Sequence, residues 1–112
     1  MNRPQMCNNP GNLRFANQKG AIEDSGFAVF RSSVDGWIAL VRQIALDQKR
    51  GLTIAEFIQK YAPPSENNSN AYLNFILEGL RADQYDRLDF YSRYAIAGLI
   101  AKMEGYFVET SA

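Results

Sequence analysis

The chain has 112 residues, 46% of them hydrophobic, and its twelve Lys and Arg balance twelve Asp and Glu. That length fits one compact domain over residues 1–112, and the charge balance excludes the basic footprint of a sequence-independent nucleic-acid binder. The sequence holds no histidine, which excludes Ser-His and Cys-His nucleophilic pairs and every His-ligated metal site.

Proton chemistry therefore falls to carboxylates, and no metal or cofactor is expected. The single cysteine, Cys7, has no partner for an internal disulfide and reads as a small, partly buried residue. Residues 1–15 carry polar residues and prolines where a secretory signal would be apolar, so synthesis in the cytoplasm without a signal peptide is expected. The longest apolar run, Tyr94 to Ala101, is shorter than the roughly 20 residues that span a bilayer, so no membrane insertion is expected. A target at the cell wall or in the periplasm would be reached by release or by delivery with a virion.

In chain order, the first feature is Cys7-Asn8-Asn9-Pro10-Gly11-Asn12-Leu13-Arg14-Phe15. Pro-Gly and asparagine are turn formers. Three asparagines exceed what one turn requires, and their uncharged donor and acceptor pairs suit a ligand rich in hydroxyl and N-acetyl groups. Leu13 to Phe15 and Phe27 to Phe30 then read as the two strands of a small hairpin, joined by the polar segment Ala16 to Gly26.

Ser33 is positioned to cap a helix whose apolar residues Val34, Trp37, Ile38, Val41, Ile44 and Ala45 recur at helical spacing, ending near Lys49, Arg50 and Gly51. Thr53-Ile54-Ala55-Glu56 is a capping box that opens a short helix through Phe57, Ile58 and Tyr61, stopped by Pro63 and Pro64. After the polar loop Ser65 to Asn70, Asn68 or Ser69 caps a third helix with Tyr72, Leu73, Ile76, Leu77 and Leu80 facing inward. The last helix is expected to start near Asp86 or Asp89 and to carry Tyr91, Tyr94, Ala95, Leu99, Ile100 and Met103 to Gly105, central in the fold because it is apolar around much of its girth. The sum is an α+β domain, predominantly α, with about four helices and a small N-terminal β-hairpin.

Asn8-Asn9-Pro10-Gly11-Asn12-Leu13-Arg14, Phe27-Ala28-Val29-Phe30 with Gly36 six residues on, Gly51-Leu52-Thr53-Ile54 and Tyr61-Ala62-Pro63-Pro64-Ser65-Glu66-Asn67 occur together and in this order. The chain thereby resembles, over nearly its whole length, the NNPGN family of bacteriophage and prophage proteins. Members are usually labelled virion or structural proteins, and some are suspected of being lysozyme-like peptidoglycan hydrolases. The last helix of that family ends in Glu-Asn-Gly; here Met103-Glu104-Gly105 stands in that place without the asparagine. A looser similarity links the chain to bacterial glucosaminidases and lytic transglycosylases, in which a helix-ending catalytic Glu precedes an Asn-rich loop and a hairpin. In this sequence those pieces are permuted, an arrangement that works if the termini meet.

The resemblance implies a lysozyme-like fold, peptidoglycan glycan strands as ligand and Glu104 as the catalytic acid. A carboxylate in the last turn of a helix sits at the negative end of the macrodipole, and burial there raises its pKa toward what protonation of a glycosidic oxygen requires. The bland alternative is a solvated helix-end glutamate. A two-carboxylate glycosidase needs a second acid at about 5 Å for retention or about 6.5–9.5 Å for inversion. Glu66 is the candidate, with Glu23 and Asp24 as rivals, although Glu66 before a helix needs no functional reason. A lytic transglycosylase needs one carboxylate alone.

Asn8, Asn9 and Asn12 either bind acetamido groups and hydroxyls or hold the turn. Asn67 joins them as a candidate sugar contact from the Pro-Pro-Ser-Glu-Asn stretch. Arg14 offers a planar fork to a lactyl or stem-peptide carboxylate, or forms a structural ion pair. Tyr61, Tyr72 and Tyr106 are candidate sugar platforms, Tyr61 foremost because it adjoins the Pro-Pro loop; Trp37 belongs to the core. The second functional reading is a noncatalytic virion or assembly protein whose partners are other phage proteins. A carboxylate facing an open groove favours the enzyme, and a filled groove favours the structural protein.

Overall fold

The computed structural model of the chain describes residues 2–108. Asn2 caps a single helical turn, α1 (Arg3–Met6), with Pro4 inside the first turn, where its missing N–H is no loss. The asparagine-rich loop follows, and Asn8 and Asn12 both take a φ of 50° there, a left-handed conformation that asparagine tolerates better than most residues.

The hairpin exists, with a correction to its first strand. β1 (Ile22–Asp24) pairs antiparallel with β2 (Phe27–Val29) in the register Ile22 to Val29, Glu23 to Ala28 and Asp24 to Phe27. Ser25 and Gly26, both at positive φ, form the two-residue turn that such a tight hairpin requires. Leu13 to Phe15 lies along the other edge of β2: Arg14 bridges Phe27, Ala28 N–H donates to Leu13 O, and Phe15 N–H donates to Gly26 O. The segment assigned to the connection thus supplies the first strand, while the expected strand adds only an isolated bridge.

Ser32, one residue before the expected cap, opens α2 (Ser33–Lys49) by accepting from Asp35 N–H. The face of α2 is also corrected. Its buried residues are Gly36, Leu40, Ile44, Asp47 and Gln48, whereas Val34 and Ile38 are 63% and 51% exposed. Two polar residues take inward positions because both find partners. Gln48 donates to Leu88 O and Tyr91 O, and Asp47 binds Lys60 and Arg50.

The capping box at Thr53 opens α3 (Ile54–Tyr61), and Asn68 caps α4 (Ser69–Leu80) through Ala71 N–H. Tyr72 and Ile76 are the buried members of the expected inward face of α4. The final helix starts later than the acidic residues suggest. Leu88–Phe90 forms one 3-10 turn, and Ser92 then caps α5 (Arg93–Met103). Its buried face is Ile96, Ala97, Ile100 and Ala101, while Tyr94 is 72% exposed, so α5 is one-sided rather than buried all round. The described residues thus hold five helices, one 3-10 turn and a two-stranded hairpin, a mostly helical α+β architecture.

Leu40 and Ile44 from α2, Phe57 and Ile58 from α3, Ile76 from α4 and Ile96 and Ile100 from α5 meet in one core. The asparagine-rich loop lies over the start of α2 at Gly36. A Cβ at Gly36 would fall 1.9 Å from the Asn8 carbonyl oxygen and 2.8 Å from Pro10 Cδ. Gly36→Ala therefore forces loop and helix apart, and the expected loss in urea unfolding is about 2 kcal/mol or more. Gly98→Ala, inside α5 with nothing within 4 Å of the added carbon, is expected to gain up to about 1 kcal/mol.

Candidate functional site

The two ends of the described segment meet. Asn2 Nδ2 donates to Gly105 O at 2.7 Å, Gln5 Nε2 donates to Phe107 O at 3.0 Å, and Phe107 N–H donates to Gln5 Oε1 at 2.8 Å. These bonds put the asparagine-rich loop beside the end of α5. There Gly105 takes a positive φ, Tyr106 N–H donates to Ala101 O, and Gly105 N–H donates to Lys102 O. This pair of bonds is the Schellman closure of a helix, and it fixes Glu104 at the C-cap.

Glu104 opens onto a cleft of about 480 Å³. The N-terminal loop contributes Gly11, Asn12 and Arg14 to its lining, and the segment after α3 contributes Pro63, Glu66 and Asn67. Arg3, Phe27, Lys60 and Tyr61 complete it.

Burial raises the Glu104 carboxyl above its ordinary value, and hydrogen bonds from Tyr72 and Asn12 oppose the rise without cancelling it. The Tyr72 hydroxyl on α4 donates to Glu104 Oε2 at 2.7 Å. Burial, followed by the neighbouring Tyr61 and Glu104, pushes the Tyr72 hydroxyl far up, so it stays a neutral donor. Tyr61 is likewise raised, first by burial and then by the charges of Glu104 and Asp47, and it donates to Gly11 O. The Tyr61 and Tyr72 rings pack at 6.4 Å between centroids, which braces the two hydroxyls against the loop and the carboxylate. Asn12 Oδ1 is buried and accepts no hydrogen bond from another described residue, an acceptor that costs free energy until a donor reaches it.

The candidate residues divide. Asn12, Arg14, Tyr61, Glu66, Asn67 and Glu104 line one cleft. Asn8 and Asn9 do not. Asn9 is fully buried; its Nδ2 donates to Leu13 O and Ala28 O, and its Oδ1 accepts from Leu13 N–H. Asn8 Nδ2 donates to Phe30 O. Both asparagines hold the loop to the hairpin, and the proposed sugar contact for them is corrected accordingly.

Glu66 forms an ion pair with Arg14. The structural alternative for Arg14 is thus realised, and the candidate second carboxylate stands against a guanidinium. Tyr72 touches the acid rather than lining the cleft, and Tyr106 stands edge-on to Trp37 at 5.6 Å, away from it. Glu23 and Asp24 lie on the exposed hairpin strand, outside the lining.

Arg3, Phe27 and Lys60 were not legible as site residues. Arg3 and Phe27 lie far apart in sequence and meet only through the fold. Lys60 reaches the cleft from α3 while its Nζ holds the buried Asp47 at 2.8 Å. Burial alone would raise Asp47, but hydrogen bonds from Lys60, Gln43 and Arg50 outweigh it and hold the carboxyl below its usual range. Among the described residues, no group of three or more His, Cys, Asp or Glu stands together as metal ligands, and no helix is long and apolar enough to cross a membrane. In comparisons with known proteins, no family model and no curated protein matches this chain.

The raised Glu104 pKa carries a stability consequence. The folded protein holds this proton more tightly than the unfolded chain, whose value is near 4.5. The associated stabilisation is full below that value and is lost as pH rises through the higher folded one. Glu104→Gln keeps the acceptor for Tyr72 and removes the buried charge. It is therefore expected to melt at a higher temperature than wild type at pH 7, with the gap narrowing as pH falls to about 4. Thermal melts of both proteins across this range check the expectation.

Proposed function

We propose that the protein is a phage- or prophage-type, lysozyme-like peptidoglycan-binding protein that cleaves the glycan strand with Glu104 as general acid. The observation that carries the reading is a half-buried carboxylate with a raised pKa, fixed at a helix end and facing an open cleft lined by amides, a tyrosine and cationic side chains. An open groove in front of the carboxylate is the arrangement that favours an enzyme over a packed structural protein.

In this mechanism Tyr72 occupies Oε2, so the transferable proton sits on Oε1. Glu104 gives it to the glycosidic oxygen as the bond from that oxygen to the anomeric carbon breaks, and positive charge builds at the anomeric carbon. The resulting carboxylate then takes a proton from the attacking hydroxyl. That hydroxyl belongs to water in a hydrolase, or to the muramic acid itself in a lytic transglycosylase. The Arg14 pairing of Glu66 leaves the cleft one uncommitted carboxylate, which suits the intramolecular route. Asn12, with an unsatisfied buried acceptor beside the acid, and Asn67 supply the uncharged hydrogen-bonding groups that sugar hydroxyls and acetamido groups require.

A second reading keeps the domain but not the reaction. Trp37, Val41 and Ala97 floor an apolar hollow on the α2–α5 side whose rim residues Ile38, Tyr94 and Val108 are exposed. Such a face suits contact with other virion proteins.

The test incubates wild type and Glu104→Gln with purified peptidoglycan and analyses released fragments by mass spectrometry. Anhydro-ended fragments from wild type alone are expected. Reducing ends alone would make it a hydrolase, fragments from both proteins would remove Glu104 from the chemistry, and none from either would favour the noncatalytic reading.

A further inference from the structure

Three cationic side chains line the cleft, and two are already matched. Arg14 pairs with Glu66, and Lys60 binds both oxygens of Asp47. Arg3 is exposed and forms no salt bridge with another described residue. Its Cζ lies 3.9 Å from the centroid of the Phe27 ring, and Arg14 Cζ lies 4.6 Å from the same centroid. One aromatic ring thus holds two guanidinium groups at one part of the cleft, and the carboxylate found against them, Glu66, is paired with Arg14.

A guanidinium that gives its face to a ring keeps its N–H donors at its edge, where they match a planar carboxylate. Arg3 is also fixed relative to the reactive centre. Its neighbours Asn2, the cap of α1, and Gln5, on α1, are hydrogen-bonded to Gly105 and Phe107, in the segment after Glu104. These bonds therefore set the position of this cation against the candidate acid.

We propose that Arg3, seated on Phe27 beside Arg14, is a subsite for a carboxylate carried by the glycan strand, and that it orients the strand relative to Glu104. This rests on the peptidoglycan reading above. Two sources on the strand offer the group: the lactyl carboxylate of a muramic acid without its peptide, and the carboxylates of the stem peptide. An uncharged chitin-type oligosaccharide has neither.

The experiment measures binding by calorimetry in a Glu104→Gln background, which prevents turnover. The probes are a neutral chitooligosaccharide, a peptide-free muramyl oligosaccharide of equal length, and the same oligosaccharide bearing its stem peptide. At least one carboxylate-bearing probe is expected to bind about tenfold tighter than the neutral one, and the tighter of the two identifies the source. Adding Arg3→Gln is expected to erase that margin, measured as the ratio of the charged to the neutral probe on the same variant. Arg3→Lys, which keeps the charge but not the fork, is expected to retain part of it.

Equal binding of all three probes would overturn the carboxylate subsite and leave the glycan reading standing. A margin that survives Arg3→Gln would overturn the assignment to Arg3. Binding of none would overturn both readings.

Discussion

A fully buried asparagine holds the part of the structure on which the cleft depends. Asn9 uses its side-chain amide entirely on backbone, donating to Leu13 O and Ala28 O and accepting from Leu13 N–H. Without those bonds, buried backbone groups would be left unpaired, each at a cost of roughly 1–3 kcal/mol. With them, the loop is fastened to β2 on one side, while Gly36 lets it settle against α2 on the other. That placement carries Asn12 to Glu104, Gly11 O to the Tyr61 hydroxyl and Arg14 to Glu66. One lip of the cleft is thus a consequence of one turn being held from two directions.

The opposite wall comes from the other end of the chain. A Schellman closure fixes Glu104, and Asn2 and Gln5 stitch the residues beyond it to α1. At the carbonyl end of α5 the carboxyl meets burial on one side and hydrogen bonds from Asn12 and Tyr72 on the other, the Tyr72 hydroxyl remaining a donor because its own ionisation is suppressed. Burial dominates, and the proton is held more tightly than in an exposed glutamate. A group that costs stability when charged, set at the mouth of an open cleft, is the pattern that links local strain to function.

Local signals are legible in this sequence and relational ones are not. The Thr53 capping box, the Asn68 cap and the stop at Pro63 and Pro64 are complete within a few residues and appear as expected. The first hairpin strand is not legible in composition, because Leu13 to Phe15 has strand composition but pairs on the outer edge of β2, whereas Ile22–Asp24 looks polar and gains its strand from the Ser25-Gly26 turn. The buried face of α2 is hidden in the sequence because Asp47 and Gln48 break its apolar stripe, and their partners come from α3 and from the segment before α5. In the site, Asn12 and Asn9 share one motif and one residue type, and only the direction each side chain takes separates a cleft residue from a structural one. Arg3 had no local signature at all.

The central claim is that the cleft between the asparagine-rich loop and the end of α5 is where a glycan sits. The most direct measurement is an NMR titration of isotope-labelled protein with a soluble peptidoglycan fragment, following each backbone amide. The account predicts that the largest shifts cluster at Asn12, Arg14, Tyr61, Asn67 and Glu104. Shifts confined to the Trp37 and Tyr94 face, or none at saturating ligand, would contradict it.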